Sequence, residues 1–98
     1  MEITKTRNGT NLEIALAGRL DTVTSPDLEK ELNASLGAVD TLTLNFAELA
    51  YISSAGLRVL LSANKTMSRK GGMKIVNVNE IVKEVFDVTG FADILTIE

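Results

Sequence analysis

Two adjacent serines followed by a glycine form the part of the sequence whose residue types could support chemistry. Ser53 and Ser54 stand in the run YISSAGL, residues 51–57, between a predicted strand and a predicted helix. A hydroxyl at the start of a helix faces free backbone N–H groups and the positive end of the helix dipole, so a phosphate attached there would be stabilised. Serine is also a preferred helix N-cap. The spacing alone therefore leaves two interpretations open, a modified or partner-binding serine and a serine that only caps the helix.

The rest of the sequence offers no complete catalytic set. The chain contains no His and no Cys, which excludes thiol nucleophiles, disulfides and Ser-His-Asp triads. Gly56 matches only the downstream glycine of a Gly-x-Ser-x-Gly nucleophile elbow, because Ile52 holds the upstream position. No glycine-rich nucleotide-binding motif appears. We therefore expect no enzymatic activity, no cofactor and no metal site.

One carboxylate could belong to the same site as the serines. Asp21 follows the predicted strand that starts at Leu12. Since the sites of open α/β sheets lie at the carboxyl ends of strands, we expect Asp21 at the same sheet edge as Ser53 and Ser54. A role at the start of the next helix is an equal alternative for this aspartate.

Length and composition predict one folded domain over residues 1–98. The chain has 98 residues, of which 45% are hydrophobic and 23% charged, as in an ordinary globular domain. Its net charge of −3 argues against a nucleic-acid partner. The N-terminal residues lack a basic region leading into an apolar core, and no apolar run reaches the roughly 18 residues of a spanning helix. We expect a cytoplasmic protein without a membrane partner.

The first half of the chain predicts a hairpin, a helix and a strand. Ile3 precedes an Asn8-Gly9 turn, and apolar residues alternate after it at Leu12, Ile14 and Leu16, which is typical of a hairpin. Ser25 is predicted to cap a helix that Gly37 ends through a left-handed conformation. A strand over Leu42–Phe46 precedes an irregular stretch, residues 47–53, that lacks the alternation of a buried strand. The helix predicted to start at Ser25 carries an apolar stripe at Leu28, Leu32 and Leu36.

The second half predicts two helices and two strands. A helix starting at Ser54 is expected to end at Gly71-Gly72, and a strand to follow over Met73–Val78. Asn79 is predicted to cap the third helix, after which residues 94–97 form a last short strand. Alternating strands and helices predict an α/β domain with parallel strands. The third helix is expected to turn Ile81, Val85 and Phe86 inward.

The run at residues 51–57 resembles the signature of the STAS domain family, specifically the bacterial anti-sigma factor antagonists, whose usual wording is Tyr-Ile-Asp-Ser-Ser/Thr-Gly-Leu. The resemblance covers essentially the whole chain. This sequence has Ser53 where the family usually has Asp, and Ala55 where it usually has Ser or Thr. The resemblance implies a mixed sheet of four to five strands with helices mainly on one face. Further similar segments are residues 18–21, 42–46, 72–74 and 88–91.

The resemblance also implies a function. In this family the serine after the aspartate is phosphorylated by a partner that is both a kinase and an anti-sigma factor, and a serine phosphatase would reset the switch. By position that serine is Ser54, with Ser53 as the alternative. An adaptor or scaffold subunit of a signalling or lipid-transport assembly, in which the serines only cap the helix, is the other hypothesis. The expected partner-binding residues are Asp21, Thr22, Ser53, Ser54, Gly56 and Leu57.

The sequence also predicts how a substitution at Gly56 affects partner binding and stability. A bulky side chain in the first turn of the helix could obstruct a kinase that approaches Ser54. Replacing glycine within a helix is locally favourable by up to about 1 kcal/mol. We therefore expect Gly56→Leu to weaken partner binding with only a modest loss of stability.

Overall fold

A four-stranded mixed sheet forms the centre of the protein in the computed structural model, which describes residues 1–98. The strands lie side by side in chain order: β1 (Glu2–Asn8), β2 (Asn11–Leu20), β3 (Thr41–Ile52) and β4 (Met73–Val76). β1 is antiparallel to β2, whereas β2, β3 and β4 are mutually parallel. The predicted hairpin and the predicted α/β class are confirmed.

Three helices complete the domain. α1 (Ser25–Ser35) connects β2 to β3, α2 (Ser54–Met67) connects β3 to β4, and α3 (Glu80–Thr89) follows β4. Short 3-10 turns at Leu36–Ala38 and Phe91–Asp93 follow α1 and α3. None of these helices combines the length and the apolar character needed to cross a membrane.

The core lies on one face of the sheet, and the helices pack against that face. The register pairs Leu12 with Leu42 and Leu44 with both Ile14 and Ile75, and all five of these side chains are buried. The alternate residues of the same strands point to the opposite, mainly polar face. Burial of one face therefore sets the strand register, and the expectation of helices mainly on one face is confirmed.

β3 is longer than predicted and includes most of the stretch that we expected to be irregular. The strand runs to Ile52, and the residues buried in its second half are Phe46, Leu49 and Ile52, one in every three. The cause lies in the pairing with β2, where β3 has one extra residue after Asn45 and another after Leu49. Such bulges interrupt the two-residue alternation, so the sequence loses its strand pattern while the strand continues.

The predicted start of α1 is wrong by one residue. Thr24 occupies the N-cap position, and Ser25 is the first helical residue. The Ser25 hydroxyl is buried and has no hydrogen-bond partner. Ser25 therefore does not cap the helix.

The glycines predicted to end α1 and α2 behave differently. Gly37 is not among the glycines with positive φ, and it lies within the 3-10 turn that extends α1. The Lys70 ammonium donates to the carbonyl oxygens of Leu36 and Val39 and so satisfies this helix end. α2 ends earlier than expected, at Met67, but Gly72 does adopt a left-handed φ of 97° and its N–H donates to the Met67 carbonyl.

α3 turns Phe86 inward as predicted and packs Val85 against the core, but Val82 and not Ile81 is the other buried residue. Val82 and Phe86 are buried, whereas Ile81 is 62% exposed and Val85 is only partly buried. The Phe86 ring stacks on Phe46 of β3 with 6.4 Å between ring centroids. Asn79 caps the helix as predicted, because its side chain accepts a hydrogen bond from the Val82 N–H at 2.8 Å.

The chain end after α3 is less regular than predicted. β4 stops at Val76 instead of Val78, and Asn77 takes a left-handed φ of 60° that turns the chain toward α3. Residues 94–97 do not form a strand, since only a single parallel bridge joins Ile97 to Ile75. Pairing of one residue cannot sustain a fifth strand, and the sheet has four.

Candidate functional site

The junction between β3 and α2 presents Ser54 at the surface. Ser54 is the first residue of α2 and is exposed, and Ser53 precedes it in extended conformation at the N-cap position. The Ser53 N–H donates to the Leu20 carbonyl at 2.9 Å, and the Leu57 N–H donates to the Ser53 carbonyl at 3.0 Å. These backbone bonds tie the start of α2 to the end of β2. α2 starts at Ser54, as predicted, and the Ser54 side chain is accessible.

The two serines differ in what their hydroxyls can do. The Ser53 Oγ is buried and has no hydrogen-bond partner. It also makes no capping bond, so no side chain caps α2. A kinase can reach only an exposed hydroxyl, and the free N–H groups of the first turn favour negative charge beside it. The geometry therefore favours Ser54 over Ser53 as the site of modification.

Asp21 lies in a tight turn at the same sheet edge, after the last residue of β2. Its Oδ1 accepts hydrogen bonds from the N–H groups of Val23 at 3.0 Å and Thr24 at 3.1 Å. The Thr24 N–H, followed by the Thr24 hydroxyl, the Val23 N–H and the Arg19 charge, lowers the pKa of Asp21 below its ordinary value. The carboxylate thus stays charged and holds the turn that leads into α1, whereas Thr24 and not Asp21 occupies the N-cap position of that helix. Thr22 in this turn is exposed.

A cation and an aromatic ring that were not predicted as site residues, Arg19 and Tyr51, lie at the same edge. The Arg19 guanidinium lies 4.4 Å from the centroid of the Tyr51 ring, within the range of a cation–π contact. Arg19 Nε is 3.9 Å from Asp21 Oδ2. Arg19 and Tyr51 are register partners in β2 and β3. Their place within the two segments that resemble the STAS family was the signal that could have identified them.

Gly56 lets α2 approach the sheet closely. A Cβ atom at this position would lie 2.8 Å from Leu20 Cγ and 2.9 Å from Ile52 Cγ1, closer than packed carbon atoms tolerate. Leu20 and Ile52 are fully buried. The expectation that a larger residue costs little stability is therefore wrong, because Gly56 is a packing position. Leu57 is also buried, at 4% exposure, and a partner contact through either residue stays a prediction.

A groove between α1 and α2 reaches the first turn of α2 at Ala55. Its lining includes Thr22, Ser25, Glu29, Ala55 and Arg58. Arg58 is exposed and lies one helical turn after Ser54. Arg58 is therefore the cation that follows the first turn of α2, and that first turn holds no acidic residue.

Comparison with known proteins gives one family over the whole domain. The profile of the STAS domain family matches residues 2–98. The anti-sigma-B factor antagonist of Bacillus subtilis (strain 168) is 28% identical over 92 residues, which cover 93% of this chain and 84% of that protein. The anti-sigma-B factor antagonist of Staphylococcus epidermidis is 30% identical over 86 residues, covering 85% of this chain and 79% of that protein.

Solved structures share the fold. The unphosphorylated form of the anti-sigma factor antagonist SpoIIAA superposes with a TM-score of 0.84 at 20% identity, covering 99% of this chain and 88% of that one. SpoIIAA from Bacillus has also been solved in a phosphorylated form, with a TM-score of 0.76 at 20% identity and coverage of 99% and 91%. At these identities the similarity establishes the architecture of the sheet and the helices.

Proposed function

The chain belongs to the STAS domain family, and we propose that it acts as an anti-sigma factor antagonist that is switched by phosphorylation of Ser54. The observation that carries the proposal is the exposed Ser54 hydroxyl at the uncapped start of α2. The relatives are named as anti-sigma factor antagonists, and these names indicate an anti-sigma factor as the partner. The role is one of binding, and it requires no catalysis by this chain.

In the proposed cycle the unmodified protein binds an anti-sigma factor that is also a serine kinase, and so releases the sigma factor in the cytoplasm. The kinase transfers the γ-phosphoryl group of a nucleoside triphosphate to Ser54 Oγ. A base of the kinase takes the hydroxyl proton, the new O–P bond forms as the bond between the γ-phosphorus and the β-phosphate oxygen breaks, and nucleoside diphosphate leaves. A serine phosphatase hydrolyses the phosphoserine and returns the protein to the binding state.

The charge of the phosphate explains how modification would end binding. Phosphorylation adds nearly two negative charges to a surface that must lose water against the partner. The nucleotide phosphates bound in the active site of the kinase are negatively charged, as phosphoserine is, so the two groups repel each other. Like or unpaired charges at an interface cost several kcal/mol, and each 1.4 kcal/mol is about tenfold in affinity. A loss of about a hundredfold or more follows.

Ser53 supports the second hypothesis, an adaptor without a switch. It stands where the family usually has aspartate, and its buried hydroxyl introduces no charge beside Ser54. If the aspartate were required for phosphorylation, this chain would bind its partner constitutively. The phosphorylation state of Ser54 therefore separates the two functions.

Mass spectrometry of the protein purified from its native cells tests the proposal. We expect a phosphorylated fraction with the phosphate on Ser54, and no such fraction in the Ser54→Ala variant. Fragment ions produced by cleavage of the backbone between Ser53 and Ser54 distinguish the two adjacent sites. A Ser54→Ala variant that keeps the phosphate on Ser53 would move the switch to Ser53, and a wild-type protein that carries no phosphate across growth phases and stresses would favour the adaptor.

A further inference from the structure

Arg58 is an exposed cation without an ionic partner beside the candidate phosphorylation site. The chain has three ion pairs, Lys5–Glu31, Arg19–Asp21 and Lys74–Glu98, and Arg58 takes part in none of them. Its side chain donates no hydrogen bond to another residue in the structure. Glu29 of α1 lines the same groove as Arg58, yet the two do not form an ion pair. The guanidinium is therefore free to accept a new partner.

Helix geometry places Arg58 next to Ser54. Both residues lie in α2, four positions apart, and both are exposed. Residues at this spacing lie on the same helix face with about 5–6 Å between Cβ atoms. A phosphoryl group extends the serine side chain, and the arginine side chain is long, so their ends can meet. The order also matters, because an anion that precedes a cation by four residues is the favourable arrangement in a helix.

We propose that Arg58 holds the phosphate of phosphorylated Ser54 on the surface of α2, an inference that rests on the function proposed above. The planar guanidinium can donate two parallel N–H bonds to phosphate oxygens. In the unmodified protein the same guanidinium remains available to an approaching partner. Phosphorylation therefore changes two groups at once: it adds an anion to the surface and occupies the cation beside it. Arg58 is a positioning residue of the modified state.

The second pKa of the phosphate measures this contact directly. Phosphoserine is placed at position 54 by genetic code expansion, so no kinase is needed, and the phosphate is titrated by 31P NMR. Its second pKa in a free chain is about 6. A neighbouring guanidinium favours the dianion, so we expect the pKa to rise by about 0.2–0.4 unit when Arg58→Gln removes the charge. Arg58→Lys keeps the charge and should retain most of the wild-type value.

Lys65→Gln is the matched control. Lys65 is an exposed cation of the same helix, eleven residues after Ser54, which is about 16 Å along the helix axis. That separation exceeds the Debye length of about 8 Å at physiological ionic strength, so the phosphate pKa should not change. An unchanged pKa in Arg58→Gln would overturn the proposal, and equal shifts in both variants would show a general charge effect and overturn it as well. Failure of a kinase to modify Ser54 would instead count against the proposed function.

Discussion

Gly56→Ala tests the close approach of α2 to the sheet with the smallest possible change. The substitution adds one methyl group that would lie 2.8 Å from Leu20 Cγ and 2.9 Å from Ile52 Cγ1. Both neighbours belong to the fully buried core, so neither can turn toward solvent. The helix, the strands or both must shift by several tenths of an ångström to restore ordinary contact.

Two opposing effects set the magnitude. Alanine is the better helix former, which favours the variant by up to about 1 kcal/mol. Overpacking of a close-packed core costs about 1–3 kcal/mol. We expect the overpacking to prevail and the free energy of unfolding to fall by about 1–2 kcal/mol. Gly56→Leu adds three more carbon atoms and should lose more, so weaker partner binding by that variant would report damage to the fold.

Urea denaturation followed by far-UV circular dichroism measures the effect, and Gly37→Ala provides the control. A Cβ atom at Gly37 would meet nothing within 4 Å, and its φ is not left-handed. Alanine there should leave stability unchanged or raise it by up to about 1 kcal/mol, because it restricts the unfolded chain. If Gly56→Ala proved as stable as wild type, the packing argument at this position would be refuted.

Three further predictions concern polar side chains at the helix starts. Ser25→Ala should raise the free energy of unfolding by up to about 1 kcal/mol, because it removes a buried hydroxyl that has no partner; a loss in urea denaturation would show that the hydroxyl is bonded. Ser53→Ala should likewise raise the free energy of unfolding by up to about 1 kcal/mol, since the Ser53 hydroxyl is also buried without a partner and makes no capping bond, whereas Asn79→Ala should cost about 1 kcal/mol or more because Asn79 caps α3; equal losses would contradict the geometry. The pKa of Asp21 is lower in the folded protein than in the unfolded chain. The ionised carboxylate therefore stabilises the fold above the unfolded pKa of about 4, and this stabilisation is lost as the pH falls through the folded pKa. The stability advantage of wild type over Asp21→Asn should therefore narrow on acidification below about pH 4, and an advantage that stays constant to about pH 2 would count against the hydrogen bonds at this turn.

Local sequence signals predicted most of the helices, strands and turns because neighbouring residues in the chain determine these elements. The Asn8-Gly9 turn, the leucine stripe of α1 and the Asn79 cap each depend on residues a few positions apart. β3 was underestimated because its second half buries Phe46, Leu49 and Ile52 at a spacing of three. That spacing follows from bulges against β2, and a pairing between distant segments has no signal in either segment alone.

The candidate site was predicted in position but not in detail. The serine run placed Ser54 correctly at the start of α2, because a helix start follows from residue preferences. The buried Ser53 hydroxyl and the contact between Gly56 and Leu20 depend on how closely α2 lies on the sheet. A glycine in a sequence does not show whether its position requires a flexible backbone or the absence of a side chain. The packing role of Gly56 therefore follows only from the structure.

The affinity of Ser54→Asp for the anti-sigma kinase of the native host tests the switch most directly. Ser54 caps nothing, since Ser53 holds the N-cap position and α2 has no side-chain cap, so both Ser54→Asp and Ser54→Ala should melt close to wild type. Titration calorimetry should then show Ser54→Ala binding like the unmodified protein and Ser54→Asp binding about a hundredfold more weakly. Wild-type affinity in a folded Ser54→Asp variant would contradict the account.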